Sequence, residues 1–213
     1  MNLSHACAGT ALVVVCEVNV RISNQTSPPM NIGLTLVLLG GLFGGCAGMD
    51  SRGELPTVAS VDLARYAGTW YEVARLPMWF QRHCVDSKAV YQVRSDGQIG
   101  VHNECVTDDG GLAMADGVAT VVDTKTNARL MVVFDNWFAR LFGSSREGNY
   151  WILELDPEYR TVLVGTPDRR YLWILARAPQ IDEAIYLKLV HLARGLGYPI
   201  EQLIRDRRPG PSS

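Results

Sequence analysis

GTWYEVARLP, residues 68–77, decides how this chain folds. The stretch mixes a glycine, an indole, a phenol, a carboxylate and a guanidinium, and it has neither a clean strand period nor a clean helical one. Just before it, VDLARYAG (61–68) has the composition of a single helical turn closed by Gly68. From it onward the chain becomes a succession of short strand-like runs, at about 69–76, 86–94, 98–105, 113–123, 128–134, 149–155, 160–165 and 170–176. The joints between runs carry turn chemistry: SDGQ (95–98), DDGG (108–111), DTKTN (123–127), DPEY (156–159) and TPDRR (166–170). Short strands joined by tight turns make an antiparallel meander. A meander exposes two edges unless it closes, and eight strands close around an interior that side chains fill or that holds one small ligand. The expected fold is therefore all-β, an eight-stranded antiparallel up-and-down β-barrel. An open sandwich is the alternative, and it would need longer crossover connections.

Closure also explains the opening stretch. Gly68 lets the chain leave the helical turn in a conformation closed to other residues, and Trp70 enters the first strand as a plug for one end of the barrel. Arg177 ends the eighth run, YLWILAR (171–177), and can cover the indole by a cation–π contact only if the first and eighth strands are neighbours.

The last element is helical. Pro179 stands at its start, Asp182 and Glu183 favour the positive end of its dipole, and Gly195 and Gly197 stop it. Ile181, Ile185, Leu189, Leu192 and Leu196 form one apolar stripe, expected to pack on the outside of the barrel; a partner or a membrane surface is the other use of such a stripe. IEQLIRDRR (200–208) offers a ninth short strand.

The N-terminal region differs in composition. IGLTLVLLGGLFGG (32–45) is too short to span a bilayer as an ordinary helix and runs into Cys46, the layout of a secretory apolar region followed by a cleavage site. GGC (44–46) resembles the end of a bacterial lipobox, in which the cysteine becomes the acylated first residue. A buried helix of the mature fold is the competing reading. Residues 1–29 fit neither, and Met30 is a second candidate start, on which account Cys7 and Cys16 have no function. The expected organisation is a signal region (1–45), a lipidated N-terminus and linker (46–60), a folded domain (61–206) and a flexible tail (207–213).

The 213 residues carry a formal net charge of −2 without a basic block, which removes the electrostatic footprint of a nucleic-acid binder. Cys84 and Cys105 read as a disulfide in an exported chain. A metal site borrowing His83 and His102, or a cysteine nucleophile, competes with that reading. No G-x-S-x-G, H-E-x-x-H or phosphate loop occurs.

Strand alternation nominates residues that meet a ligand. If Trp70 points inward, so do Glu72, Ala74 and Leu76; if Tyr91 does, so do Ala89 and Val93; Trp151 and Leu153 share a face of the sixth strand. Plain barrel packing explains each equally well. Glu72 is the sharpest case, because a carboxylate facing an apolar interior needs a basic partner or a ligand unless it lies near the rim. Between the fifth and sixth strands, FDNWFARLFGSSREG (134–148) carries Trp137, Phe138, Leu141 and Phe142 beside Arg140 and Arg146. Such a loop folds back on its own domain, touches lipid headgroups or forms a homodimer contact.

Three motifs in order resemble the lipocalins, and within them the bacterial lipoprotein lipocalins of the outer membrane, close to vertebrate apolipoprotein D and the plant temperature-induced lipocalins. They are G-x-W with its YEVAR continuation (68–75), the turn between sixth and seventh strands with Asp156 and Tyr159 in matching roles, and Arg177. The turn departs from the family's usual Thr-Asp-Tyr type, reading Leu-Asp-Pro-Glu-Tyr. The resemblance covers about residues 61–206. It implies a binder without cofactor or metal: a carrier of fatty acids or lysophospholipids, acylated at Cys46, held on the periplasmic face of the bacterial outer membrane and linked to envelope maintenance under stress. Ala47 after the cysteine, rather than Asp, fits export to that membrane. A lipocalin-fold enzyme using a free Cys84 or Cys105, and a tetrapyrrole carrier with His83 or His102 as axial ligand, are the rival readings.

Overall fold

The computed structural model describes residues 54–135 and 146–206. The signal region, Cys46, the aromatic cluster from Trp137 to Phe142 and the 207–213 tail lie outside the described residues. The alternating apolar runs form eight strands: β1 (Gly68–Arg75), β2 (Cys84–Val93), β3 (Ile99–Thr107), β4 (Leu112–Val121), β5 (Arg129–Phe134), β6 (Tyr150–Leu155), β7 (Thr161–Gly165) and β8 (Leu172–Ala176). Each pairs antiparallel with the next, and β1 pairs with both β8 and β2, so the sheet closes on itself. Closure leaves no free edge among the eight, which is the physical gain of a barrel over an open meander. The expected ninth strand exists as β9 (Ile204–Arg205), and it continues β1 where β2 has diverged, opposite Ala74 and Arg75.

Among the described residues, two α-helices flank the barrel. The short α1 (Leu63–Tyr66) starts at Asp62, whose carboxylate accepts hydrogen bonds from the backbone N–H of Ala64 and Arg65. The longer α2 (Glu183–Gly195) starts after Asp182, which caps Ala184 in the same way, so Pro179 lies ahead of the helix rather than at its start. Gly197, at φ +86°, takes the left-handed turn that ends it.

The core has two layers. Inside the barrel, Trp70, Tyr91, Val101, Val132, Ile152, Val164 and Leu175 pack together; outside, α2 seals a second cluster built on Val73, Leu76, Leu163, Leu172 and Ile174. Leu189 and Ala193 are the helix's buried residues, flanked by Tyr186 and Val190, whereas Ile185 is exposed: the buried stripe is rotated away from Ile185. The expected linker is partly docked, since Leu55 is buried in the outer cluster, Val58 donates its N–H to Ile152 and Glu54 pairs with Arg129.

β5 and β6 share only two register pairs. Asn149 extends that seam with its side chain, accepting from the N–H of Val132 and donating to its carbonyl, both at 2.8 Å, as a neighbouring strand would.

Candidate functional site

One end of the barrel is sealed by groups that hold one another. Trp70 is fully buried and donates its indole N–H to the carbonyl of Tyr66 at 2.8 Å. The guanidinium of Arg177 lies 3.9 Å from the centre of the Trp70 ring. Its Nη2 donates to the carbonyls of Arg65, Tyr66 and Ala67, its Nη1 to Thr69 and its Nε to Tyr159. Those carbonyls include the C-terminal end of α1, so one cation caps a helix terminus and covers an aromatic face together. Gly68 stands at φ +96°, and a Cβ there would come within 3.3 Å of Arg177 Nη1. Tyr159, at φ +60°, turns the β6–β7 hairpin and accepts from the N–H of Asp62, while Asp156 accepts from Nε of Arg160.

The other end opens into a cavity of about 200 Å³, lined mainly by apolar atoms. Ala89, Val101, Val132 and Leu175 form its wall, Tyr91 and Tyr150 bring hydroxyls to it, and Phe80, Phe134 and Trp173 add aromatic rings to its lining. Cys84 and Cys105 also line it and are joined in a disulfide, with Cα atoms 5.6 Å apart. The bond ties the first residue of β2 to β3 and occupies both thiols.

Glu72 and Tyr91 face the cavity, and Glu72 has the basic partner that its burial requires. Glu72 is 3% exposed and Arg75 2%, and Nη1 of Arg75 meets Oε1 of Glu72 at 2.8 Å. The other carboxylate oxygen accepts from Nε2 of Gln81, and Nη2 of Arg75 donates to the carbonyls of Gln81 and Cys84. The buried pair thereby anchors the loop between β1 and β2 over the barrel. Burial pushes the Glu72 carboxyl up from its ordinary value, with the charge of Arg75 opposing the shift.

Ala74, Trp151 and Leu153 do not line the cavity: all three belong to the outer cluster beneath α2. For Ala74 the cause is a bulge in β1, where the register slips between Glu72 and Ala74. A bulge reverses the in-out alternation, which sends Val73 and Ala74 outward and returns Arg75 to the side of Glu72. In β6, Tyr150 and Ile152 take the inward face, and Trp151 packs outside beneath Arg129, whose guanidinium lies 4.1 Å from its ring centre. Of the adjacent aromatics Tyr150 and Trp151, the one at the cavity is Tyr150.

Val93, expected inside with Tyr91, is exposed near the end of β2. His83 and His102 lie on the surface, paired with Asp108 at 3.2 Å and with Asp116 at 2.6 Å, and neither lines the cavity. No cluster of three metal-ligating side chains occurs among the described residues. Tyr66, Arg75 and Gln81 were not nominated by alternation, because they reach their positions through a helix, a bulge and a loop, and Tyr150 was missed because the register of β6 turns it rather than Trp151 inward.

A closed eight-stranded barrel with a helix outside and a cavity opening at one end defines a β-barrel of the small-ligand-binding class. Residues 61–208 match the lipocalin-like domain model, and the chain belongs to the lipocalin family. It is 38% identical to temperature-induced lipocalin-1 of Arabidopsis thaliana over 158 residues, covering 73% of this chain and 83% of that protein. It is 36% identical to outer membrane lipoprotein Blc of Escherichia coli over 166 residues, covering 78% of this chain and 89% of the relative. The solved structure of insecticyanin from the tobacco hornworm shares the fold at a TM-score of 0.57 and 17% identity, over 74% of this chain and 86% of that one.

Proposed function

We propose that this chain is a lipid-binding lipoprotein of the bacterial envelope that carries a fatty acid or a lysophospholipid in the barrel cavity, with Glu72 and Tyr91 among the residues that meet it. One observation carries the reading: a cavity walled by apolar side chains, sealed at one end by the Trp70–Arg177 contact, in which the acidic Glu72 is already paired with Arg75. An acyl chain buried there gains the hydrophobic free energy of apolar contact without displacing a catalytic group. The name of the Escherichia coli relative, an outer membrane lipoprotein, supports the outer membrane as the location, and we place the lipid anchor at Cys46, where several acyl chains would hold the chain. A role in membrane maintenance under stress, the role that the resemblance implies, belongs to the same proposal. The disulfide removes the free thiol that a cysteine-dependent lipocalin-fold enzyme would need. The surface positions of His83 and His102 count against a tetrapyrrole carrier that uses either as axial ligand.

The test is a tryptophan-fluorescence titration of the purified full chain with lysophospholipid, fatty acid and haem in parallel. Saturable quenching by the lipids supports the carrier reading, and their ranking names the cargo. A response to haem alone, or to none of the three, overturns it.

A further inference from the structure

Two phenols that line the cavity and a third buried behind them satisfy each other incompletely. Tyr66 rises from α1, Tyr91 from β2 and Tyr150 from β6, and all three are buried. Tyr66 Oη lies 2.7 Å from Tyr150 Oη, and Tyr91 Oη lies 3.1 Å from Tyr150 Oη. Those two contacts are the hydrogen bonds that the three hydroxyls make among the described residues. Each phenol owns one hydrogen and each contact consumes one, so whichever way the chain of hydroxyls is polarised, one O–H remains without an acceptor. A buried donor left unmade is costly, and Tyr91 and Tyr150 both line the cavity, so a bound molecule is positioned to accept it.

The same surroundings set the charge of that acceptor. Burial pushes Tyr91 up to about 12 and holds Tyr66 and Tyr150 well above the ordinary phenol value, so the cluster stays protonated and donating. Glu72 lines the same cavity, and its charge also acts to raise the pKa of Tyr91. A ligand carboxylate brought to the phenols would meet that charge, and among the described residues the nearby cations are already engaged, Arg75 by Glu72 and two carbonyls and the cavity-lining Lys88 by Glu104 at 3.0 Å.

We infer that the Tyr66–Tyr150–Tyr91 cluster is a hydrogen-bond-donating subsite for an uncharged oxygen, a hydroxyl, carbonyl or ester, on the buried end of an amphiphilic ligand. The inference rests on the carrier reading and sharpens it: an oxygenated acyl chain enters tail first, and its charged head stays at the mouth.

The experiment titrates the purified full chain with saturated fatty acids of graded chain length, their ω-hydroxy counterparts and the matching α,ω-diacids. At the chain length that reaches the phenols, the ω-hydroxy acid should bind about tenfold more tightly than the plain acid, the effect of one well-made buried hydrogen bond. The diacid should bind more weakly than either. The double variant Tyr91→Phe/Tyr150→Phe removes the two hydroxyls that line the cavity and should abolish the hydroxyl preference while plain fatty acid still binds. Tyr66→Phe leaves a donor at the cavity and should keep the preference. Equal affinity for plain and hydroxylated acids at every length in the unaltered protein would overturn the subsite and leave the carrier reading standing, with no variant needed. A preference that survives the double variant would also overturn it. Failure of every probe to bind removes subsite and carrier reading together.

Discussion

Arg177 lies 3.9 Å over the indole of Trp70, and the same guanidinium donates to five backbone carbonyls on α1, on β1 and at the β6–β7 turn. Its position depends on closure, because β8 delivers Arg177 beside β1. Arg177→Ala removes the cation–π contact and leaves those carbonyls without their donor, a loss of about 3 kcal/mol in urea unfolding. Arg177→Lys keeps the charge without the planar fork and should recover less than half of it. A loss as small as that of an ordinary surface arginine would show that the seal contributes little.

Glu72 and Arg75 form a buried pair, and such pairs stabilise less than their geometry suggests but are costly to break. Glu72→Gln leaves Arg75 charged and buried and should cost about 3–5 kcal/mol. The double variant Glu72→Gln/Arg75→Met removes the uncompensated charge and should be more stable than Glu72→Gln alone. Chemical denaturation of the three proteins checks the ordering, and a double variant less stable than the single one would refute it.

Trp151 packs outside and Ala89 inside, so substitutions at the two should separate stability from binding. Trp151→Ala opens a void under α2 and should cost about 3–5 kcal/mol, with lysophospholipid affinity of the folded fraction unchanged. Ala89→Phe places a ring in the cavity and should sharply weaken lysophospholipid binding. Calorimetric titration beside thermal melting distinguishes the two outcomes. A fall in affinity with Trp151→Ala alone would place the ligand on the outer face.

On the outer surface, the hydrogen bond to Asp116 raises the pKa of His102 above its ordinary value, with Glu104 adding to the effect. A raised imidazole pKa in the folded state contributes stability that is fully present below the unfolded value of about 6.5 and is lost as pH rises through the folded one. The pair is solvent-screened, which limits its contribution to at most about 0.5 kcal/mol. NMR titration should find the His102 midpoint above that of a model peptide and lower again in Asp116→Asn; the same midpoint in both proteins would refute the assignment.

Eight strands, their turns, the closing pair Trp70 and Arg177 and the outer helix were legible in the chain, because strand alternation, Gly and Asp turn chemistry and helical period are local properties. The glycine at position 68 announced its positive φ through residue type alone. Which face of each strand meets the cavity was only half legible. Trp70, Glu72 and Tyr91 keep the inward parity that alternation assigns, whereas Ala74 loses it to a bulge that no residue pattern in GTWYEVAR marks. Tyr150 rather than Trp151 enters the barrel, and the choice rests on how β6 registers against β5 and β7, a relation between distant segments. The bulge in β1 brings Arg75 to the side of Glu72 on the same strand, whereas Tyr66 reaches Tyr150, across a sequence separation of 84, only when the sheet is rolled. Local chemistry thus determined the elements and their order. The tertiary structure decided which side chains share the interior, because burial and hydrogen-bond satisfaction are settled by segments brought together from across the chain.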